Sequence, residues 1–264
     1  MQNPLPLAVQ CLTVISGMQN KYLKYGISLL FWLVIWQVAA MLVAKEVLLP
    51  TILSTLKALV SFGATAEFWH SAAISLLRIC SGFALGAVLG VIGAVLSAKI
   101  KLFDLLFSPL LKAVRAAPVA SFIILAFVWL KVGIVPTVIS FLMVLPVVWT
   151  NVRQGIDNVD TNLLEMAKVF RIPITKQLIN IHIPSVMPSF ISSCVTGLGF
   201  AWKSGVAAEI ICRPPEALGS LLYNAKINLE TPRVMALTIV IILISAAFES
   251  AVKALARRWE NGKA

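Results

Sequence analysis

Residues Leu163–Pro188 read LLEMAKVFRIPITKQLINIHIPSVMP, a polar stretch broken by Pro173 and Pro184 that separates two of the most apolar runs in the chain, Ile134–Thr150 and Ser189–Ala208. Just upstream, the carboxylate of Asp160 is placed to accept backbone N–H bonds at the start of TNLLEMAKVF, and Asn162 with Glu165 three residues on offers an alternative capping box. Pro173 is unsuited to that helix but suits the first turn of a second one, ITKQLINIHI, which Pro184 is expected to stop. The segment therefore reads as two short helices with a tight turn near Arg171 and Ile172. On the first, Leu163, Leu164, Ala167 and Phe170 share one broad face while Glu165 and Lys168 point elsewhere. A rigid helical pair outside the apolar runs suits force transmission to a partner; a structural cap is the plainer alternative.

The surroundings explain why such a unit stands out. Of 264 residues, 59% are apolar and only 12% charged, and the mean hydropathy is +0.94. That balance belongs to an integral membrane protein, an all-α bundle with lipid around it, because only helices or closed barrels satisfy their backbone in hydrocarbon. The chain reads as one transmembrane domain over residues 1–264, with 1–20 as a leader that is either a short extra helix or partly disordered. The leader lacks the basic start of a cleavable signal. The net charge of +11 fits loops facing anionic lipid. Nucleic-acid binding is the weaker reading, since no basic stripe alternates with aromatics.

A membrane-crossing helix needs roughly 20 apolar residues. Six candidates follow: Tyr25–Ala44, Ile79–Ala98, Pro118–Leu130, Ile134–Thr150, Ser189–Ala208 and Val234–Phe248. The third is short, so it begins nearer Leu111 or lies against its neighbours. Val47–Phe68 reads as a peripheral amphipathic segment. Fourteen basic residues fall on one side of this arrangement: Lys21 and Lys24, four in Lys99–Arg115, four in Asn151–Met187, and Lys253, Arg257, Arg258 and Lys263 in the tail. The opposite side has six, Lys45, Lys57, Lys131, Arg213, Lys226 and Arg233. The positive-inside rule then puts both termini and the 151–188 loop in the cytoplasm, in a multi-pass protein of the cell membrane.

Several residues inside the spans carry weight. Gly82, Gly86, Gly90 and Ala94 form a strip of small residues that permits close helix approach; static packing is favoured over a moving or subunit interface. Lys203, beside Trp202 and one and a half turns before Glu209, is a charge at membrane depth, where ionisable groups are costly. It either lines a pathway and attracts an anionic substrate, or snorkels to a headgroup or pairs with Glu209. Arg78 and Glu249 read as helix-end or inter-helix polar contacts. Trp69, Trp149 and Trp259 sit near boundaries and read as interfacial anchors. Cys11, Cys80, Cys194 and Cys212 are far apart, and His70 and His182 give no ligand geometry, so no metal or cofactor site is expected.

The spacing of the opening segment also has a family likeness. Glu165, Met166, Ala167, three residues, Arg171, nine residues, then Ile181-His182-Ile183-Pro184 resembles the EAA loop of permease subunits of binding-protein-dependent ABC importers, whose pattern is EAA, three residues, G, nine residues, I-x-L-P. The departures are Met166, Ile183 and Arg171, the last standing where the family has a glycine. SLLRICSGF (75–83), APVASFIILAFVWLKVG (117–133), GLGFAWKSGVAAE (197–209) and ALGSLLYNA (217–225) are similar to the branch holding nitrate, sulfonate, taurine and pyrimidine-precursor permeases, so the likeness covers 75–264.

The resemblance implies a type I importer permease fold, a second permease subunit as a homodimer, two cytoplasmic ATPases and an extracytoplasmic solute-binding protein. By position it implies that Leu164, Glu165, Met166, Ala167, Lys168, Phe170 and Arg171 couple to the ATPase. Gly197, Trp202, Lys203 and Glu209 are the candidate pathway residues. The substrate class implied is a small organic anion or a vitamin precursor. The chain has no GxxxxGK[ST] phosphate loop, so it is expected to be no enzyme and ATP hydrolysis would come from a separate subunit. A self-contained secondary transporter or channel would not need a docking loop, and a membrane-embedded enzyme would need clustered His, Asp or Cys.

Overall fold

The computed structural model describes the backbone of residues 7–261 and the side chains of residue 23 and residues 25–254. The expectations for residues 1–6, and for the side chains of Cys11, Lys21, Lys24, Arg257, Arg258, Trp259 and Lys263, lie outside the described residues. The described chain is helical: α1 (Leu7–Val43), α2 (Ile52–Gly63), α3 (Ala66–Lys99), α4 (Lys101–Ala116), α5 (Val119–Trp129), α6 (Val135–Asp157), α7 (Thr161–Val169), α8 (Ile174–Gln177), α9 (Ile183–Cys212), α10 (Leu218–Ile227) and α11 (Thr231–Asn261). Five helices are long and apolar enough to cross a membrane, and the bent pair α4–α5 brings the number to six.

Four boundaries differ from the sequence expectation. α1 runs unbroken from Leu7 to Val43, so residues 7–20 are not a separate helix or an unstructured leader but continue into the first span. The second span starts at Ala66 rather than Ile79, because nothing in SAAISLLR breaks a helix. Pro118–Leu130 is not a span by itself. Its helix, α5, has 11 residues and reaches roughly 16 Å, about half the hydrocarbon thickness. Ala117 before Pro118 is held extended, as pre-proline residues are, and there the chain turns by 106° out of α4. Pro184 does not stop the second loop helix. The chain stays helical from Ile174 to Cys212 through a π-turn at Leu178–His182, in which Ile183 N–H donates to the carbonyl of Leu178. The wider turn takes up the carbonyl that the Pro184 ring would otherwise crowd.

The core is a three-helix seam. α3 runs parallel to α6, and α9 packs antiparallel against α6 and touches α3. The small-residue strip of α3 lies against α6: a Cβ on Gly86 would come within 2.8 Å of Val144 Cβ, and one on Gly90 within 2.9 Å of Val148 Cβ. The strip is thus packing within the chain, as favoured from sequence, and it lets two helices meet at backbone distance. One turn further, Gly93 leaves room for the Trp149 ring. Trp149 is therefore no interfacial anchor; it is buried, donates Nε1–H to Ser97 Oγ at 3.0 Å and stacks on Phe103.

Peripheral elements close the end opposite α7. Trp36 Nε1 donates to the carbonyl of Pro50, Ile52 N–H donates to Gln37 Oε1, and Thr231 Oγ1 donates to the carbonyl of Val47, tying α1, α2 and α11 together. The exposed Trp69 donates to the carbonyl of Gly63 at the same end. Apart from this tie, α1 stands clear of the bundle and exposes apolar side chains over most of its described length.

Candidate functional site: a helical loop and an exposed polar stripe

The loop at the far end begins with the expected cap. Asp160 Oδ1 accepts from Asn162 N–H at 2.8 Å, which leaves the alternative Asn162/Glu165 capping box unused. The end of α7 is a Schellman motif: Ile172 N–H donates to the carbonyl of Ala167 at 2.9 Å and Arg171 N–H to that of Lys168 at 3.1 Å. Arg171 takes φ 49°, the left-handed conformation for which glycine is the usual residue. The arginine has thus kept the turn that a glycine would make.

Packing then divides the residues of α7 into two sets. Ala167 is fully buried, in a small cluster with Val159, Ile181, Leu164, Ile172 and Val186, so a methyl is all that the space under the helix holds. Glu165, Met166, Lys168 and Arg171 are exposed. Val169 and Phe170 are 79% and 72% exposed. The single face expected to join Leu163, Leu164, Ala167 and Phe170 is split: Leu164 and Ala167 turn inward, whereas Leu163 and Phe170 face out with Met166 and Val169. Sequence reasoning did not single out Val169. Its placement one turn after Met166 and beside Phe170 was the available signal.

The four pathway candidates do not form one cluster. Gly197 is buried against Val144 and Phe83, and Trp202 is buried with Nε1–H donating to the carbonyl of Ile241 and its ring stacked on Phe248; both are packing positions. Glu209 is fully buried, and its Oε2 accepts from Ser75 Oγ at 2.9 Å and from Gly219 N–H at 3.1 Å. Ser75 Oγ in turn accepts from Leu218 N–H, so one carboxylate and one hydroxyl cap the start of α10 and bind it to α3 and α9. Neither Ser75 nor Gly219 was singled out from sequence, because residues 134 apart in sequence give no local signal. Arg78 donates to the carbonyls of Pro215 and Glu216 on the same loop, an inter-element polar contact as expected, whereas Glu249 pairs with Lys253 one turn along its own helix, α11, and not at a helix end or between helices.

Lys203 is exposed and does not pair with Glu209. Six residues on a helix leave two side chains roughly 120° apart, so the one points out where the other points in. Lys203 belongs to an exposed stripe of α9 with Ser192, Thr196 and Phe200, beside the half-buried Gly199. The ammonium group of Lys203 is the member of that stripe that would be costly against lipid. Among the described residues no group of His, Cys, Asp and Glu is placed to hold a metal.

Long apolar helices around a tight seam, with a helical loop at one end, define a polytopic α-helical membrane protein. The fold is shared with known ABC transporter chains: the chain superposes with TM-score 0.57 on a chain of a bacterial alginate ABC transporter solved with a periplasmic protein carrying an alginate pentasaccharide, at 13% identity and covering 92% of this chain and 96% of that one. A chain of an amino acid ABC transporter gives 0.56 at 16% identity, over 72% of this chain and 90% of that one. The family model described as binding-protein-dependent transport system inner membrane component matches residues 86–261, and the chain belongs to that family. Among curated relatives, the putative aliphatic sulfonates transport permease protein SsuC of Bacillus subtilis is 29% identical over 236 residues, 86% of this chain and 84% of that one. The bicarbonate transport system permease protein CmpB of a Synechocystis strain is 27% identical over 168 residues, 60% of this chain and 56% of that one. The protein is therefore a multi-pass membrane permease component of the binding-protein-dependent ABC importer class.

Proposed function

We propose that this permease forms half of an importer pathway and is driven by a separate cytoplasmic ATPase that docks on α7. The observation that carries the reading is the divided helix: Ala167 anchors it to the bundle while Met166, Val169 and Phe170 form an apolar patch at the tip of a rigid loop. An exposed apolar patch of this kind marks a protein contact. Glu165 and Lys168 flank it with charge. The seam from α7 to α9 is continuous helix after the turn, so a displacement of the loop is passed to the span bearing Lys203 as a rigid-body movement. ATP-bound partner subunits would act by favouring one arrangement of the bundle over another.

The substrate class that fits is a small anion, such as a sulfonate, a nitrate-like ion or a carboxylate, with a vitamin precursor as the other class in the branch that the chain resembles. The support is the Lys203 stripe together with relatives named for aliphatic sulfonates and bicarbonate. A second copy of the chain would face the stripe, two ATPases would bind the loops, and a solute-binding protein would deliver substrate at the α10 end. The α7 loop and both chain termini would face the cytoplasm. Uptake by the reconstituted transporter tests the coupling step: Phe170→Asp and Glu165→Ala should abolish ATP-driven uptake and co-purification of the ATPase with normal insertion. Uptake that survives substitutions across Glu165 to Phe170 sinks the reading.

A further inference from the structure

α4 is amphipathic in an unusual sense, with a narrow polar strip on an otherwise apolar helix. Asp104, Ser108, Lys112 and Arg115 follow one another at helical spacing along one side, while Leu102, Leu105, Leu106 and Leu110 are exposed on the rest. The strip borders a cleft of about 210 Å³ whose other wall is Trp149, Thr150 and Arg153 of α6. Three basic side chains thus meet one carboxylate around a single opening. Arg153 is engaged with Asp157 at 2.9 Å, but among the described residues the side chains of Lys112 and Arg115 have no ion-pair or hydrogen-bond partner. Buried Leu111 and Trp149, whose ring stacks on Phe103, give the cleft its apolar lining.

We infer that this cleft holds the phosphate of an anionic phospholipid. The 106° bend swings α4 across the direction of α5, and Arg153 lies in the last turns of α6, so the cleft sits at the end of the bundle that carries α7. A helix lying there with leucines on one side and a basic strip on the other has the form of an element at the boundary of hydrocarbon and headgroups. Basic pockets between helices at that level suit headgroup phosphates, and the neighbouring exposed leucines suit the acyl chains. A free inorganic anion would satisfy the charges but would leave the leucines without a role. The inference rests on the membrane-spanning reading alone and not on ATPase coupling.

The test is lipid retention by the full chain taken from bilayers of equal phosphatidylglycerol and phosphatidylcholine, read by native mass spectrometry. Wild type should retain phosphatidylglycerol in excess, and K112Q/R115Q should reduce that excess roughly tenfold or more, two charges near a membrane surface being worth about that. Equal retention by both proteins overturns the inference. So does displacement of the bound species by inorganic phosphate with no preference between the two lipids, which would identify a free-anion site. If the double variant fails to insert, K112R/R115K should keep the excess, and wild-type retention should fall with rising salt; retention indifferent to salt overturns the inference equally. No ATPase or transport is involved in the readout, so its failure leaves the coupling proposal standing.

Discussion

Ile172 N–H donates to the carbonyl of Ala167 across a residue, Arg171, that holds φ 49°. This one bond fixes the direction in which the chain leaves α7 and enters α8. An L-residue in that conformation costs about 1–2 kcal/mol, against which glycine gains nothing from the side chain and loses entropy. Arg171→Gly should therefore stabilise the loop by a net of about 0.5–1 kcal/mol. Thermal unfolding and protease resistance of the loop are the measurements, and a lower midpoint would contradict the assigned turn.

Ala167 is fully buried against Val159, Ile181, Leu164, Ile172 and Val186. Ala167→Leu should force α7 off the bundle at a cost of about 1–3 kcal/mol, typical of overpacking. Limited proteolysis should reveal earlier cleavage in 160–180, while Val169→Ala, a truncation at an exposed site, should leave the protease pattern unchanged.

Two glycines make a matched pair of tests on the helices. A Cβ at Gly82 would lie 2.3 Å from the backbone oxygen of Thr137, whereas one at Gly199 would meet nothing within 4 Å. Gly82→Ala should separate α3 from α6 and sharply reduce the yield of folded protein. Gly199→Ala should fold as well as wild type or better, by up to about 1 kcal/mol of helix propensity. Yields by size-exclusion chromatography in detergent decide both; equal yields would remove the claim that the α3–α6 seam depends on backbone contact.

The Glu209 carboxylate has two donors that lose their acceptor together when it is removed. Glu209→Ala should cost about 1–3 kcal/mol for each buried group left unpaired. Glu209→Gln, which keeps an acceptor oxygen, should be much milder. Melting midpoints in one detergent rank the two variants, and the reverse order would mean that charge and not hydrogen bonding matters there.

Lys203→Met should weaken uptake of an anionic substrate through a higher KM, with ATP hydrolysis by the assembled transporter retained. Concentration series of uptake in proteoliposomes measure this directly. An unchanged KM for a sulfonate or carboxylate would remove Lys203 from the pathway.

Much of the fold was legible because its causes are local. Apolar runs near span length announced α1, α6, α9 and α11, the Asp160 cap and Pro173 announced the loop, and the four-residue spacing of Gly82, Gly86 and Gly90 announced a close approach. The errors occur where a local rule was overridden. Pro184 reads as a stop by itself, but a π-turn absorbs it, and Trp149 reads as a boundary residue until Gly93 gives its ring a place inside.

The sequence by itself determined that the chain is helical, belongs in a membrane and carries a structured polar loop, since these follow from composition and from spacing along one segment. The tertiary structure decided which faces are spent on packing and which are left free. Lys203 and Glu209 look like partners along the chain, but one points to the open stripe and the other to Ser75 and Gly219. Likewise Ala167 and Phe170 look like one face, yet only Ala167 is small enough for the space beneath α7. Burial depends on what arrives from distant segments, and no periodicity within one helix records that.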